Sequence, residues 1–357
     1  MSATPTTAIQ HLPVPTPSEV IALQSVCGTP AVSVLLSTTP QQVLAREDGT
    51  RLDRLLDDAA RRLRIEAPDG VASDLVADLQ ALGAVARGAR SRHGIALYAA
   101  PGAMPCWYSL PVNVRDRVVV DPTFATRDLV RSLHRTPRHT LLLLSKDQAR
   151  LFEGADDSLV PVARARFPLD AGSFPSMTAF LRAVDSALAA HLRARPSPVV
   201  VAGVESLTAA FLQRSRATTR LAGTIPGSHL ERPLPELAEL TRPVLERYLR
   251  SREQESLSAL ASTPRRRVAS GLDAVWLCSR SERPHMLIVE EDLFRPARIS
   301  EDGDHLLPVD DVEAPDVLDD VVDEVIEAVL RRGGWVALAS SGALADHGGI
   351  ALTVRDR

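Results

Sequence analysis

The sequence predicts an α/β protein built as three domains, residues 1–136, 137–262 and 268–357. Three observations carry this. At 357 residues the chain is long for one core, and it fits two or three domains of roughly 100–200 residues each. Short apolar runs bounded by turn residues alternate with longer segments whose apolar residues recur at helical spacing. The closing stretch, 321–357, shows that alternation most plainly. Val321, Val322, Val325, Ile326 and Val329 fall on one helical face, and Gly333-Gly334 stands where a helix C-cap takes the left-handed conformation. Residues 335–339 and 350–354 then read as strands packed under that helix.

The first region opens on a leader rich in proline and threonine, followed by a short helix over 18–25 and a strand over 31–36. An amphipathic helix over 53–65 turns Leu55, Leu56, Ala59 and Leu63 inward with Leu52, and Arg54, Asp58, Arg61 and Arg62 outward. A second helix spans 73–86 with Ser73 as its N-cap. Strands at 95–99, 107–110 and 117–120 complete the domain, and 122–137 leads out of it.

In the middle region, runs at 141–145, 149–153 and 159–167 are joined by two tight connections, which predicts three consecutive antiparallel strands. A long helix follows, burying Met177, Phe180, Leu181, Val184, Leu188 and Leu192. A strand at 199–202, a helix at 206–215, a strand at 221–225 and a helix at 235–261 complete the region. The order β-β-β-α-β-α-β-α is that of ribonuclease-H-like domains. Fold does not confer nuclease activity. Asp147, Asp156, Asp157, Asp170, Asp185 and Glu205 do not fall at strand positions that would converge on two metal ions. The third region follows a hinge at 263–267 and starts with strands at 274–279 and 285–290.

Several chemistries are excluded by pattern. Lys146 is the only lysine and sits between Ser145 and Asp147, so no phosphate-binding Gly-Lys-Ser/Thr loop exists. His-Glu-x-x-His is absent, and Gly203-Val-Glu-Ser206-Leu lacks the last glycine of a nucleophile elbow. His134 and His139 flank a proline in a linker and are expected at the surface. Turn geometry accounts for Gly333-Gly334 and Gly348-Gly349 better than an anion cradle does. Cys27, Cys106 and Cys278 fall one to each domain, which argues against a disulfide framework and against a clustered zinc site. No metal and no cofactor is expected.

No apolar run approaches the roughly 20 residues that cross a bilayer. The N-terminal segment lacks a basic stretch before an apolar one, so no secretion signal is read and the cytoplasm is the expected compartment. The net charge of −4 hides a separation of sign. Between residues 290 and 327 stand 15 acidic residues against two arginines, a local balance of −13 that leaves +9 for the rest. Glu313, Asp316, Asp319, Asp320 and Asp323 are read as an anionic face suited to a basic protein, and a solvated loop and helix surface explains them equally well. Arg214, Arg216 and Arg220, and the hinge residues Arg265, Arg266 and Arg267, are candidates for RNA phosphate contact. A solvated face explains each basic cluster almost as well.

PTPSEVIALQSVCGTPAVSVLLSTTP (15–40), LYAAPGAMPCWYSLP (97–111), HTLLLLSKDQARLFEG (139–154), PVVVAGVESLTAAFLQRS (198–215) and the GGWVALASSGALADHGGIALTVRD tail are diffuse apolar patterns spread over nearly the full chain. Together they resemble the bacterial relatives of archaeo-eukaryotic class-1 release factors, a group that includes Pelota-like and Balon-type proteins. The resemblance implies an N-terminal domain placed toward the decoding centre and a ribonuclease-H-like middle domain reaching toward the peptidyl-transferase centre. It implies a C-terminal α/β domain like those of kink-turn-binding ribosomal proteins. Releasing members carry Gly-Gly-Gln between the third strand and the long helix of the middle domain. Here that loop reads Phe-Pro-Leu-Asp-Ala-Gly-Ser-Phe-Pro over 167–175, with Asp170, Ala171, Gly172, Ser173 and Phe174 at its tip, and the chain contains no Gly-Gln. Without the glutamine, no obvious group organises the attacking water.

The resemblance therefore implies a non-catalytic ribosome-binding translation factor that occupies the A site in hibernation, protection or rescue. Its cationic surfaces would meet ribosomal RNA, and its acidic face a basic partner, for example a translational GTPase such as elongation factor Tu. No membrane and no DNA partner is implied. Two alternatives stay open. One is a hydrolase of peptidyl-tRNA or RNA using Asp170, Ser173 or Glu205; the other is a stress-associated interaction factor that never meets the ribosome.

Overall fold

The computed structural model describes residues 10–12, 15–26, 30–155, 158–162, 166–309 and 317–355. Cys27, Asp156, Asp157, Glu313 and Asp316 lie outside the described residues. The chain is mixed α/β and divides into two compact units, Met1–His134 with Glu255–Arg357, and Arg135–Gln254. Among the described residues no helix is long and apolar enough to cross a membrane.

The N-terminal segment begins with β1 (Gln10–Leu12) and α1 (Pro17–Gln24). Thr16 and Glu19 form a reciprocal capping box at the start of α1, which satisfies two otherwise unpaired backbone donors. Strand β2 (Ala31–Ser37), helices α2 (Arg46–Glu66) and α3 (Asp69–Gly88), and strands β3 (Gly94–Ala99), β4 (Cys106–Leu110) and β5 (Arg117–Asp121) follow. The sheet order is β1-β4-β3-β2-β5. Its two-residue alternation divides the core. Val32, Val34, Leu36, Ile95 and Leu97 meet α2 and α3, while Ala31, Leu35, Ala96 and Tyr98 point to the opposite face. Helix α3 starts four residues earlier than expected, with Pro68 at the N-cap position. Ser73 lies inside it, its hydroxyl donating to the Asp69 carbonyl at 2.8 Å rather than capping. The expected exit segment contains a further helix, α4 (Arg127–Arg135).

Unit Arg135–Gln254 holds strands β6 (His139–Leu144), β7 (Gln148–Ala155), β8 (Ser158–Pro161) and β9 (Leu169–Asp170). Helix α5 (Met177–Ala194), β10 (Val199–Gly203), α6 (Glu205–Leu212), β11 (Leu221–Pro226) and α7 (Leu234–Ser262) follow, α7 continuing past the unit's end. The sheet runs β11-β10-β6-β7-β8, with β9 paired to β7. Strands β6, β10 and β11 are parallel, and β6, β7 and β8 form an antiparallel meander. The third expected strand is shorter than read, ending at Pro161. Helices α5 and α6 cover the face carrying Leu142, Leu144, Val199 and Val201, and α7 covers that of Leu141, Leu143, Val200 and Ala202.

His139 corrects the expectation of a surface histidine. It is a buried member of β6 directly opposite Gly154 of β7, and a side chain at Gly154 would collide with its ring. Burial lowers its pKa, opposed by a contact with the Pro137 carbonyl, so the ring is held neutral.

The C-terminal segment contains β12 (Val268–Ser270), α8 (Leu272–Ser281), β13 (Pro284–Glu290), β14 (Ala297–Ile299), β15 (Leu306–Pro308), β16 (Val317–Leu318), α9 (Val321–Arg331), β17 (Trp335–Ala339) and β18 (Ile350–Val354). The strand expected over 274–279 is instead helix α8. Gly271, with φ of +80°, turns the chain into it, and Val275, Trp276 and Ser279 are buried while Ala274 and Leu277 are exposed. The Trp276 indole donates to the Gly303 carbonyl at 3.0 Å. The main sheet is β12-β18-β13-β17, and a small sheet β15-β14-β16 lies beside it in the sequence. The closing helix and strands form where periodicity placed them. Gly333 takes φ of +74°, and the amides of Gly333 and Gly334 donate to the carbonyls of Leu330 and Val329.

Candidate functional site

The tip of unit Arg135–Gln254 is a pinned loop. Asp170 pairs with Gln148 across β9 and β7, and its carboxylate accepts the Gly172 amide at 2.9 Å. Residues 171–173 form one 3-10 turn whose Ala171 amide donates to the Asp147 carbonyl at 2.7 Å. Phe167 is buried beneath the loop, and the Phe174 ring lies 5.8 Å from that of Phe180. Ser176 then caps α5 by accepting the Ala179 amide at 3.2 Å. Asp170, Gly172 and Ser173 are exposed, but the Asp170 carboxylate is occupied by the turn itself. Ala171 and Phe174 are half-buried. A glycine-rich releasing loop presents backbone freely; this loop is fastened at both ends.

Arg214, Arg216 and Arg220 share one exposed connection between α6 and β11. The sequence reading missed what shapes it. Asp185 of α5 accepts the Ser215 hydroxyl at 2.5 Å and the amides of Arg216 and Ala217 at 3.3 and 3.2 Å. One carboxylate thereby fixes a loop that displays three guanidinium groups, an arrangement able to meet phosphate oxygens. In the other unit, Arg265, Arg266 and Arg267 form a 3-10 turn, where Arg265 and Arg266 are exposed and Arg267 donates to the Val354 carbonyl at 3.0 Å.

The expected anionic face is reorganised. Asp319, Asp320 and Asp323 are buried, not displayed. Arg127 donates to Asp320 at 2.7 Å and to the Glu291 carbonyl at 2.7 Å. Arg117 lies 3.2 Å from Asp128 and 3.4 Å from Asp319. Asp320 also caps α9, accepting the Val322 amide at 3.2 Å. The Thr123 hydroxyl donates to Glu324 at 2.9 Å. These bonds join the N-terminal and C-terminal segments of the same unit. Burial opposes the Arg117 charge, yet Asp128, Asp320, Asp319 and Asp323 together raise its pKa. Burial, reinforced by Asp319 and Glu324, pushes the Asp121 carboxyl up to about 7. Burial, reinforced by Glu324, does the same to Glu327, also to about 7. The exposed acids of the stretch include Asp292, Glu301, Asp302 and Asp304.

Among the described residues no three His, Cys, Asp or Glu side chains gather in a group able to hold a metal ion. Cys106 is buried and its thiol is pushed up to about 12, chiefly by burial.

The chain is similar to several solved structures. Archaeoglobus fulgidus Pelota is 14% identical over 97% of this chain and 94% of its own, with a TM-score of 0.35. A model of ribosome-bound archaeal Pelota with ABCE1 is 13% identical over 97% and 96%, with a TM-score of 0.43. Dom34 of S. cerevisiae, a translation termination-like factor interacting with Hbs1, is 12% identical over 73% and 74%, with a TM-score of 0.43. No curated protein matches this chain. Residues 138–283, which carry the pinned tip and both arginine clusters, match the family model of bacterial archaeo-eukaryotic release factor family 3, the relationship that the sequence resemblance had implied.

Proposed function

We propose that this protein is a ribosome-binding translation factor that occupies the A site of idle or stalled ribosomes without cleaving peptidyl-tRNA. The single observation that carries the reading is the coincidence, within the release-factor match at 138–283, of a missing Gly-Gly-Gln with a tip fastened by Asp170 and Ala171. Binding then rests on shape and charge. Arg214, Arg216 and Arg220 are the residues we assign to ribosomal RNA, with Arg265 and Arg266 as a second exposed pair.

The partition into residues 1–136, 137–262 and 268–357 belongs to this reading. The parallel set β6, β10, β11 beside the antiparallel β7 supports a ribonuclease-H-like middle domain. A C-terminal domain of the kind found in kink-turn-binding ribosomal proteins, a hibernation or rescue role in stress, a cytoplasmic site of action and delivery by a GTPase such as elongation factor Tu complete the proposal. The basic partner would meet the exposed acids Glu301, Asp302 and Asp304.

Co-sedimentation with purified ribosomes at low and moderate salt tests it. Binding that weakens as salt rises supports the proposal, because phosphate contacts release counterions. No co-migration at either salt removes it.

A further inference from the structure

We propose that unit Arg135–Gln254 carries a second site, a cleft that binds an apolar monocarboxylate such as a medium-chain fatty acid. The cleft exists because the edge of the sheet is interrupted. Strand β7 pairs with β8 through Phe152–Ala155 and with β9 through Gln148 and Ala149, which leaves Arg150 and Leu151 between the two without a partner strand on that side among the described residues. The Val162 amide donates to the Leu151 carbonyl at 2.9 Å across the gap. A volume of about 450 Å³ opens there, within the size range of small-molecule sites, and its walls are chiefly Leu143, Phe152, Phe167, Leu230, Leu234 and Leu237. Pro161 and Pro233 also line it, and their fixed φ angles help to keep the walls preformed.

Arg150 supplies the polar handle. It stands directly opposite Leu143 in the β6–β7 register and two positions from Phe152, so its side chain leaves the same face of the sheet as theirs and lines the cleft with them. It is half-buried, and its bonds go to neutral groups. Nε donates to the Gln148 Oε1 atom at 3.0 Å, and Nη1 donates to the carbonyl of Leu230, itself a wall residue, at 3.3 Å. Nη2 has no hydrogen-bond partner among the described residues and is not closed to solvent. Arg232 also lines the cleft, but it is exposed and lies 3.2 Å from Glu236, an exposed pair that water screens. Among the described residues that line the cleft none is acidic. A half-buried cation held by neutral acceptors between apolar walls is met best by a charge-assisted bond to a carboxylate. One open nitrogen suits a single negative charge, whereas the second charge of a phosphate would stay uncompensated. The aliphatic and aromatic walls then take the alkyl body, each buried methylene adding to affinity.

Titration calorimetry on the full chain tests this with three probes: decanoate below its micelle concentration, butyrate, and decyltrimethylammonium. Saturable one-to-one binding of decanoate below about 1 mM is expected. Butyrate, with fewer methylenes to bury, should bind at least about tenfold more weakly. The cation of equal chain length should also bind at least about tenfold more weakly than decanoate, because it meets Arg150 with the wrong sign. Arg150→Gln should weaken decanoate about tenfold and leave decyltrimethylammonium no weaker than before. Leu234→Trp, at a half-buried wall position, should block decanoate by filling the cleft. If circular dichroism shows that Leu234→Trp does not fold, Arg150→Gln carries the test by itself. No saturation by decanoate, equal affinity for decanoate and the cation, or a decanoate affinity unchanged by Arg150→Gln overturns the proposal. Because this titration needs no ribosome, its failure leaves the ribosome-binding reading untouched.

Discussion

Arg127 donates to Asp320 at 2.7 Å, joining residues 193 positions apart in the sequence, and both side chains are buried. The pair links the end of the N-terminal segment to the cap of α9, so the acidic stretch closes its own unit before it offers anything to a partner. Removing one member strands the other charge. We expect Arg127→Ala or Asp320→Ala to destabilise this unit by about 3–5 kcal/mol, and Arg127→Met with Asp320→Leu to cost much less than the sum. Chemical denaturation of the three variants measures this; additive losses would show that the pair does not act as a unit.

Acid should strengthen the same unit over part of the pH range. Asp121 rises from 3.8 to about 7 and Glu327 from 4.5 to about 7. A carboxyl raised in the folded state stabilises fully below its unfolded value, and that stability is lost as pH rises through the folded value. The groups facing the two include Asp319, Glu324 and Arg62 around Asp121, and Glu324 and Arg331 around Glu327. The unfolding midpoint should therefore be higher near pH 6 than near pH 8, and Asp121→Asn should flatten the difference. Equal midpoints in the wild type would contradict the assignment.

How far the sequence revealed this architecture depends on the range of the interaction. The helix and strands of 321–357 were legible because spacing, Gly333 and turn residues act within a few positions. Segment 274–279 misled because a short apolar run has no visible period; only the Gly271 turn and the burial of Val275 with Trp276 reveal a helix. Arg127 lay in a presumed exit segment and Asp320 in a presumed surface face, since no local pattern marks partners so distant. Asp185 was legible as an acid, but its role as anchor of the arginine loop depends on the packing of α5 against the α6–β11 connection.

That anchor gives a separate expectation. Asp185→Ala releases the Ser215 hydroxyl and two backbone amides from their acceptor, loosening the loop that displays Arg214, Arg216 and Arg220. Ribosome affinity should fall several-fold, whereas replacing all three arginines by glutamine should also reduce the salt slope by about one unit per lost phosphate contact. An unaltered slope in the triple variant would move the RNA contact elsewhere.

The tip residues should prove structural. Asp170→Ala removes the acceptor of the Gly172 amide and should cost about 1 kcal/mol in stability. On peptidyl-tRNA held in stalled ribosomes, Asp170→Ala and Ser173→Ala should leave the hydrolysis rate at that of the wild type, itself no faster than the uncatalysed blank. A wild-type rate above the blank that either substitution lowers would establish a replacement catalytic group.

The most direct measurement is a cryo-EM map of ribosomes from starved cells containing this protein. On the proposed reading the protein should occupy the A site, its residues 167–175 directed toward the peptidyl-transferase centre and the peptidyl ester, where present, intact. Density confined to another ribosomal surface, or its absence from every ribosome class, would contradict the account.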